Sequence, residues 1–216
     1  MKKIAIIGAG GFGRELKGLI DDINRVNSIY EFVGYYEDNK VKGEKINGYP
    51  VLGTIEDLNK IDQEINIVLG IGDPKVKFKI ISKINNPLIT FPVLVHPSCI
   101  VGTDEVTIGA GTVICAGTII TCNILIEKFV TFNLMCTVGH DTVIKEFSSF
   151  MPSINISGEV VVGKYVYVGT GAKIINQLQI GDRTIVGAGA VVSKSLPADC
   201  TAVGIPAKAI KTNEAW

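Results

Sequence analysis

The chain lacks the features that define several common protein classes. It has no run of about 18 or more apolar residues, so we expect no membrane-spanning helix. The apolar segment Ile4–Ile7 is too short for a signal peptide and meets Gly8 at once. The five cysteines contain no CxxC pair, and their odd number argues against a complete disulfide framework. We therefore expect a cytoplasmic protein with reduced, mostly buried cysteines.

The chain also has no excess of positive or negative charge. Lys plus Arg and Asp plus Glu both number 21, so no basic surface is expected to attract nucleic acid. Aromatic residues make up only 7% of the chain, whereas glycine is abundant at 24 residues, and Val and Ile crowd the second half. This composition is typical of a repetitive β architecture with many tight corners.

Large apolar residues recur at every sixth position through the second half. Small or β-branched residues stand two positions before most of them, and glycine often follows them, as at Gly109 and Gly139. Such glycines predict corners with positive φ or with close backbone approach. The fifteen large residues are Ile108, Ile114, Ile120, Ile126, Phe132, Val138, Ile144, Phe150, Ile156, Val162, Val168, Ile174, Ile180, Val186 and Val192.

A six-residue period matches neither an α-helix nor one long strand. It predicts a coil with three flat sides, and residues 103–194 then form about five coils of 18 residues. The large residue fills the interior of this prism. Val101 lies seven residues before Ile108, which predicts a one-residue irregularity in the first coil. An ordinary sandwich is the alternative, but its loops would interrupt the period.

The first half alternates predicted strands and helices, which indicates a small parallel α/β sheet. We place this domain at residues 1–95 and the repeat domain at 96–216. The predicted strands cover residues 3–7, 32–36, 65–69 and 88–95, and the predicted helices cover about 14–25 and 75–85.

A glycine-rich loop follows the first predicted strand. Gly8, Gly10 and Gly13 have G-x-G-x-x-G spacing, which places backbone N–H groups at a helix N-terminus and favours phosphate. The acidic pair Glu37 and Asp38 follows the second strand, about where a ribose-binding acid lies in dinucleotide sites. The domain is too small for a complete NAD site. The alternative is that the glycines serve turn geometry only.

Together these motifs resemble the bacterial sugar acetyltransferases of the hexapeptide-repeat superfamily, the sialic-acid O-acetyltransferase and bacillosamine-pathway N-acetyltransferase family. The resemblance spans nearly the whole chain and includes Ile71-Gly72-Asp73 and the ending Val203–Lys208. It implies a Rossmann-like N-terminal domain for a nucleotide sugar and a C-terminal left-handed parallel β-helix. It also implies a homotrimer with active sites between neighbouring prisms, acetyl-CoA as co-substrate, no metal, and a role in surface-glycan biosynthesis.

The resemblance further implies contacts for both substrates. Phe12 stands where many relatives carry His, and Ser149 stands where some relatives carry His for the cofactor phosphate. The expected sugar-nucleotide contacts are Gly10, Gly11, Phe12, Gly13, Glu37, Asp38, Gly72 and Asn133. The expected acetyl-CoA contacts are Ser149, Gly158, Thr170 and Ala188.

His140 is the candidate for acid–base chemistry. It lies two residues past the inward-facing Val138, which predicts a position at a corner outside the prism. Imidazole is a suitable general base near neutral pH, and the following Asp141 is placed to orient the ring as a carboxylate does in a triad. The alternative is an exposed surface histidine. Cys136 points inward, so an acyl-cysteine is not expected.

The acceptor is open at this point. We favour the amino group of a nucleotide-linked amino sugar, with UDP as the expected nucleotide, because the glycine loop and the acidic pair suit a phosphate and a base. O-acetylation of a sugar or sialic acid hydroxyl is the alternative reaction. Two further readings are a β-helix scaffold without catalysis and an acyltransferase for a non-sugar acceptor such as serine.

Overall fold

The computed structural model describes residues 1–214. The chain divides into two compact units, Met1–Pro97 and Ser98 onward. Within residues 1–214, no helix is long and apolar enough to cross a membrane. All five cysteines are free thiols.

The first unit is an α/β sheet with strand order β3-β4-β2-β1-β5-β6. All its pairs are parallel except β3 with β4. The elements are β1 (Lys2–Ile7), α1 (Gly11–Val26), β2 (Tyr30–Tyr36), β3 (Lys45–Ile46), β4 (Tyr49–Gly53), α2 (Ile55–Leu58), β5 (Ile65–Leu69), α3 (Pro74–Ile81), β6 (Ile89–Thr90) and β7 (Leu94–Val95).

Several boundaries differ from the sequence-based ones, for example at β2, which begins at Tyr30 and not at residue 32, and β3, β4 and α2 were not predicted. Helix α1 begins at Gly11 and not near residue 14, α3 ends at Ile81 and not at 85, and the last predicted strand is split into β6 and β7. Pro92 lies in the gap between those two strands, and it has no N–H for a ladder hydrogen bond.

Glycine contacts join β1, α1 and β5. A Cβ on Gly13 would lie 1.9 Å from the Gly8 carbonyl oxygen, and one on Gly70 would lie 2.6 Å from the Gly13 Cα. Gly8 itself has φ of +98°, which favours glycine. The apolar stripe of α1, Leu16, Leu19, Ile20 and Ile23, is buried, as its spacing predicts.

The second unit is a parallel β-helix, which with the α/β unit confirms the predicted fold class. Its strands are β8 (Ile100–Val101), β9 (Val106–Ile108), β10 (Val113–Ile114), β11 (Ile119–Ile120), β12 (Ile124–Ile126), β13 (Thr131–Phe132), β14 (Thr137–Val138), β15 (Val143–Ile144), β16 (Ser149–Phe150), β17 (Asn155–Ile156), β18 (Val161–Val162), β19 (Tyr167–Val168), β20 (Lys173–Ile174), β21 (Gln179–Ile180), β22 (Ile185–Val186), β23 (Val191–Val192), β24 (Cys200–Val203) and β25 (Lys208–Thr212).

These strands form three faces of a prism. Face 1 has the order β25-β24-β22-β19-β16-β13-β10, face 2 the order β23-β20-β17-β14-β11-β8, and face 3 the order β21-β18-β15-β12-β9. Paired residues are 18 positions apart, as in Ile120 with Val138. Val101 instead pairs with Ile120, 19 positions on, which confirms the irregular first coil.

The prism interior contains the large residues that the period predicts, such as Phe132 and Phe150, which stack with ring centroids 4.9 Å apart. Hydroxyls at the small positions bond to the next coil. Thr112 Oγ1 donates to the Glu127 carbonyl at 3.1 Å, and Ser148 Oγ donates to the Gly163 carbonyl at 2.8 Å. Because a buried hydroxyl needs a partner, these contacts explain why Thr and Ser are tolerated inside an apolar prism.

The glycines that follow the large residues serve close approach and not positive φ. A Cβ on Gly109 would lie 2.5 Å from the Lys128 nitrogen, and one on Gly139 would lie 2.6 Å from the Gly158 nitrogen. Positive φ occurs two residues later, at glycines such as Gly111 and also at larger residues such as Asp141. Of the two explanations that the sequence left open, only close backbone approach applies.

Candidate active site

One corner of the prism, between faces 2 and 3, contains His140. We define the His140 corner as Cys122, Asn123, His140, Asp141, Gly158 and Glu159, three consecutive coils of the same two-residue turn. Asp141 accepts the left-handed conformation with φ of +56°, which Asp and Asn adopt more readily than most residues. The corner is stacked by backbone hydrogen bonds, Asp141 N–H to the Cys122 carbonyl at 3.2 Å and Glu159 N–H to the His140 carbonyl at 2.8 Å.

The His140 and Asp141 side chains form a hydrogen-bonded pair. The His140 Nδ1 and Asp141 Oδ2 atoms are 2.7 Å apart, and the two side chains are 56% and 49% exposed. Hydrogen bonds from His140 and then from Asn123 hold the pKa of Asp141 below its usual value. An ionised carboxylate only accepts hydrogen bonds, so Nδ1 carries the proton of neutral imidazole. Nε2 is therefore left with a lone pair that can accept a proton.

Gly158 lies directly against the imidazole ring. A Cβ at this position would be 2.6 Å from both Cε1 and Nε2 of His140. The Gly158 N–H donates to no acceptor within residues 1–214. The glycine thus leaves room for the imidazole ring.

Three other predicted contacts lie on a different corner. Thr170 and Ala188 are exposed between faces 1 and 2. Asn133 begins the same corner, is 8% exposed, and its Oδ1 accepts the Leu134 N–H at 2.7 Å. A single chain therefore does not bring these residues together with His140.

Ser149 is in a different situation. It points outward from face 1 and yet is fully buried, and its hydroxyl has no hydrogen-bond partner within residues 1–214. The structure leaves no exposed surface at this position for the expected contact with acetyl-CoA.

A pocket of about 350 Å³ opens at the carboxyl ends of β1 and β2, where parallel α/β sheets bind their ligands. Glu37 and Asp38 line it, together with Lys79 and Lys83, which the sequence did not single out. Glu37 Oε2 accepts the Ala9 N–H at 3.0 Å. Asp38 Oδ1 accepts the Ile55 N–H, the first of α2, at 2.9 Å. Each carboxylate therefore supports the fold with one oxygen.

The glycines of this loop differ in their surroundings: one packs against backbone, and two have open space around them. Gly13 is required by its contact with Gly8, as described above. Gly10 and Gly11 are exposed and have no positive φ, and a Cβ added at either position would meet no atom within 4 Å. Turn geometry alone therefore does not explain them. Phe12 and Gly72 are half-buried.

No group of three or more His, Cys, Asp or Glu side chains that could hold a metal ion occurs within residues 1–214. The exposed histidine, its acidic partner and the six-residue prism are typical of hexapeptide-repeat acyltransferases. Residues 3–84 match the family model of the PglD N-terminal domain, and residues 159–194 match that of the bacterial transferase hexapeptide (six repeats).

The chain belongs to the bacterial hexapeptide-repeat sugar N-acetyltransferases. It is 30% identical over 172 residues to GDP-perosamine N-acetyltransferase of Escherichia coli O157:H7, covering 80% of this chain and 77% of the relative. The acetyltransferase domain of PglB from Neisseria gonorrhoeae FA1090, solved with acetyl coenzyme A, is 30% identical with a TM-score of 0.85, over 97% of this chain and 99% of that one. A histidine-to-asparagine mutant of perosamine N-acetyltransferase from Caulobacter crescentus, solved with CoA and GDP-perosamine, is 27% identical with a TM-score of 0.85, over 98% of both chains.

Proposed function

We propose that this protein transfers the acetyl group of acetyl-CoA to the amino group of a nucleotide-linked amino sugar, with His140 as general base. The observation that carries the proposal is the exposed His140 imidazole, whose Nδ1 is held by Asp141 at 2.7 Å. The relatives support the reactants, because one is a named N-acetyltransferase and two solved structures contain CoA or acetyl-CoA.

The proposed reaction needs no covalent enzyme intermediate. The amine nitrogen of the acceptor attacks the thioester carbon, the carbon–sulfur bond breaks, and CoA leaves as thiolate. His140 Nε2 takes the proton that the attacking nitrogen loses, and Asp141 stabilises the imidazolium. The proton then passes to the thiolate. In this proposal the Gly158 N–H stabilises the oxyanion that develops on the thioester carbonyl.

Cys136 does not compete as a nucleophile. Its thiol is buried in the prism interior, and that burial raises its pKa to about 11. A thiol without thiolate character attacks a thioester poorly. This supports direct transfer to the acceptor.

The N-terminal pocket is proposed to hold the nucleotide. The N–H groups at the start of α1, beside Gly10 and Gly11, suit a phosphate. Lys79 and Lys83 line the pocket and supply positive charge against the diphosphate. Glu37 and Asp38 are left to bind the base, each with one oxygen that no backbone N–H occupies.

In each of these two carboxylates, one oxygen accepts a backbone N–H and the other is left for the ligand. We infer that this arrangement favours uracil over guanine. Guanine presents two neighbouring donors, N1–H and the N2 amino group, which a carboxylate binds best with both of its oxygens. Uracil presents a single donor, N3–H, which one oxygen satisfies. We therefore keep UDP as the expected nucleotide, although one relative is named for a GDP-linked sugar and another was solved with one.

The experiment is a thiol-release assay with acetyl-CoA and a panel of acceptors: UDP- and GDP-linked amino sugars, their deaminated hydroxyl analogues, and free sialic acid. We expect release with an amino-sugar nucleotide and none with sialic acid. Release with sialic acid alone would establish O-acetylation instead. Asp38→Asn keeps an oxygen for the Ile55 N–H but removes the charge, so it should raise KM for the sugar nucleotide and leave KM for acetyl-CoA unchanged.

Two further features belong to the proposal. We propose a homotrimer, because Asn133, Thr170 and Ala188 lie on a corner that can meet His140 only from another prism. We also propose that the enzyme acts in the cytoplasm, where both acetyl-CoA and nucleotide sugars are available.

A further inference from the structure

The left-handed positions of the His140 corner and of the turns stacked before and after it carry a ladder of polar side chains, one per coil. They are Glu105, Asn123, Asp141, Glu159 and Gln177, all with φ between +51° and +61°. Asn123 Nδ2 donates to Asp141 Oδ1 at 3.0 Å. Gln177 Nε2 donates to Glu159 Oε2 at 3.2 Å. The amides of Asn123 and Gln177 thus flank the two carboxylates Asp141 and Glu159.

The two oxygens of Asp141 have different partners. Oδ2 is 2.7 Å from His140 Nδ1, and Oδ1 accepts the Asn123 amide at 3.0 Å. The Asp141 side chain is half exposed, so without a second partner its carboxylate would rotate and exchange partners with water. The amide of Asn123 closes the other side of the carboxylate and leaves Oδ2 facing the imidazole.

We propose that Asn123 is a positioning residue for the general base: it fixes the Asp141 carboxylate, which in turn fixes the ring orientation and tautomer of His140. This rests on the proposed role of His140 as base. The hydrogen bond of the Asn123 side chain goes to Asp141, so on this account Asn123 acts through Asp141 and does not bind the substrate. Outer partners of this kind orient a histidine through the group that the histidine binds.

Other titratable groups lie in the turns around the His140 ring, and the test variants have to leave them unchanged. The titratable side chains in the turns stacked on this corner are Asp104, Glu105, Cys122, Asp141, Glu159 and Lys194. On face 2, beside the corner, Lys173 Nζ donates to the Ser153 carbonyl, and the outward residues of face 3 nearest the corner, Leu125, Val143 and Val161, are uncharged. None of these is changed by substitution of Asn123.

The chain offers a matched control. Asn123→Gly removes the amide without strain, because glycine tolerates the positive φ at this position. Gln177→Gly removes an amide from an equivalent left-handed position in the same ladder, but that amide bonds to Glu159 and not to Asp141. Both variants lose one exposed amide-to-carboxylate hydrogen bond, so a merely structural effect should be the same in both.

We expect Asn123→Gly to lower kcat by about 3- to 10-fold, the worth of one ordinary hydrogen bond, with KM for acetyl-CoA unchanged. Gln177→Gly should keep the wild-type kcat. In an Asp141→Asn background, Asn123→Gly should have no further effect, because its partner is already altered. Asn123→Asp adds a negative charge to the ladder, which should move the acidic limb of the kcat/KM profile to higher pH.

The possible outcomes distinguish a failure of the role proposed for Asn123 from a failure of the role proposed for His140. Equal kcat losses in Asn123→Gly and Gln177→Gly, or additive losses with Asp141→Asn, would overturn the role of Asn123. Wild-type kcat in Asn123→Gly, with a large loss in His140→Ala measured in parallel, would do the same while leaving the base intact. Full turnover of His140→Ala would refute the base itself, and with it the proposed function.

Discussion

At the scale of single residues, the candidate site depends on one left-handed turn. The positive φ of Asp141 lets two successive side chains, His140 and Asp141, meet at 2.7 Å on the outside of the prism. The sequence predicted this pair, because His140 falls outside the six-residue register of the interior residues and an acid follows it. It did not predict Asn123 or Gly158 as neighbours of the pair: the 18-residue coil stacks these turns, but the period does not show which outward side chains bond to each other.

Gly158 provides a prediction at this scale. Its φ is not positive, so alanine is compatible with the backbone, but the added methyl group would lie 2.6 Å from the His140 ring. Gly158→Ala should displace the imidazole and lower kcat by about 10-fold or more, within the range of a general base's contribution. The measurement is kcat with both substrates saturating, together with the melting temperature.

The control is the double variant. In a His140→Ala background, the Gly158→Ala substitution meets no ring and should change kcat little. An unaltered kcat in the Gly158→Ala single variant would show that the ring moves without consequence, and the proposed position of the base would then be wrong.

At the scale of elements, the sequence predicted the main parallel strands and the helices α1 and α3, but it missed β3, β4 and α2 and several boundaries. β5 was predicted at its observed bounds, because a short run rich in Ile and Val, followed by glycine, favours a buried strand. Helix α1 was predicted too late, since glycine has a low helix propensity, yet the helix begins at Gly11 because Gly13 has to pack against the Gly8 carbonyl. The Asp38 contact with α2 was missed because it joins residues that are 17 positions apart.

Gly11 tests the function of this helix start. It occupies the first turn of α1 with open space around it, so Gly11→Ala should stabilise the fold by about 0.5–1 kcal/mol through helix propensity. If the backbone here approaches a phosphate, the same variant should raise KM for the sugar nucleotide and leave KM for acetyl-CoA unchanged. Thermal unfolding and steady-state kinetics measure both effects. A raised melting temperature with unchanged KM for the nucleotide would assign the glycine to backbone geometry alone.

At the scale of the whole molecule, the six-residue period predicted which residues face the interior of the prism but not what happens outside it. Val113, Thr131 and Ser149 point outward from face 1 and are nevertheless buried. Periodicity distinguishes inside from outside, and it contains no information on which outer faces are covered. The burial of Ser149 could therefore not be predicted from the period.

The position of Asn133 and His140 on different corners leads to a prediction about assembly. If each site takes its base from one subunit and Asn133 from another, two inactive variants should complement each other. We expect His140→Ala and Asn133→Ala, co-refolded in equal amounts, to recover about a quarter of the wild-type activity from random mixing in a closed ring. Light scattering of the mixture should show a trimer. Failure to recover any activity in mixed trimers would place both residues in the site of a single chain.

The central claim is that His140 removes the proton from an attacking amine, and its most direct measurement is the pH dependence of single-turnover acetyl transfer in wild type and His140→Ala. The account predicts a loss of about 10²- to 10⁴-fold in the variant at neutral pH, with acetyl-CoA binding and oligomeric state retained. It also predicts that the wild-type rate rises with pH along a limb that the variant lacks, and that added imidazole restores part of the rate. A His140→Ala enzyme that turns over at near wild-type rate at neutral pH would contradict the mechanism.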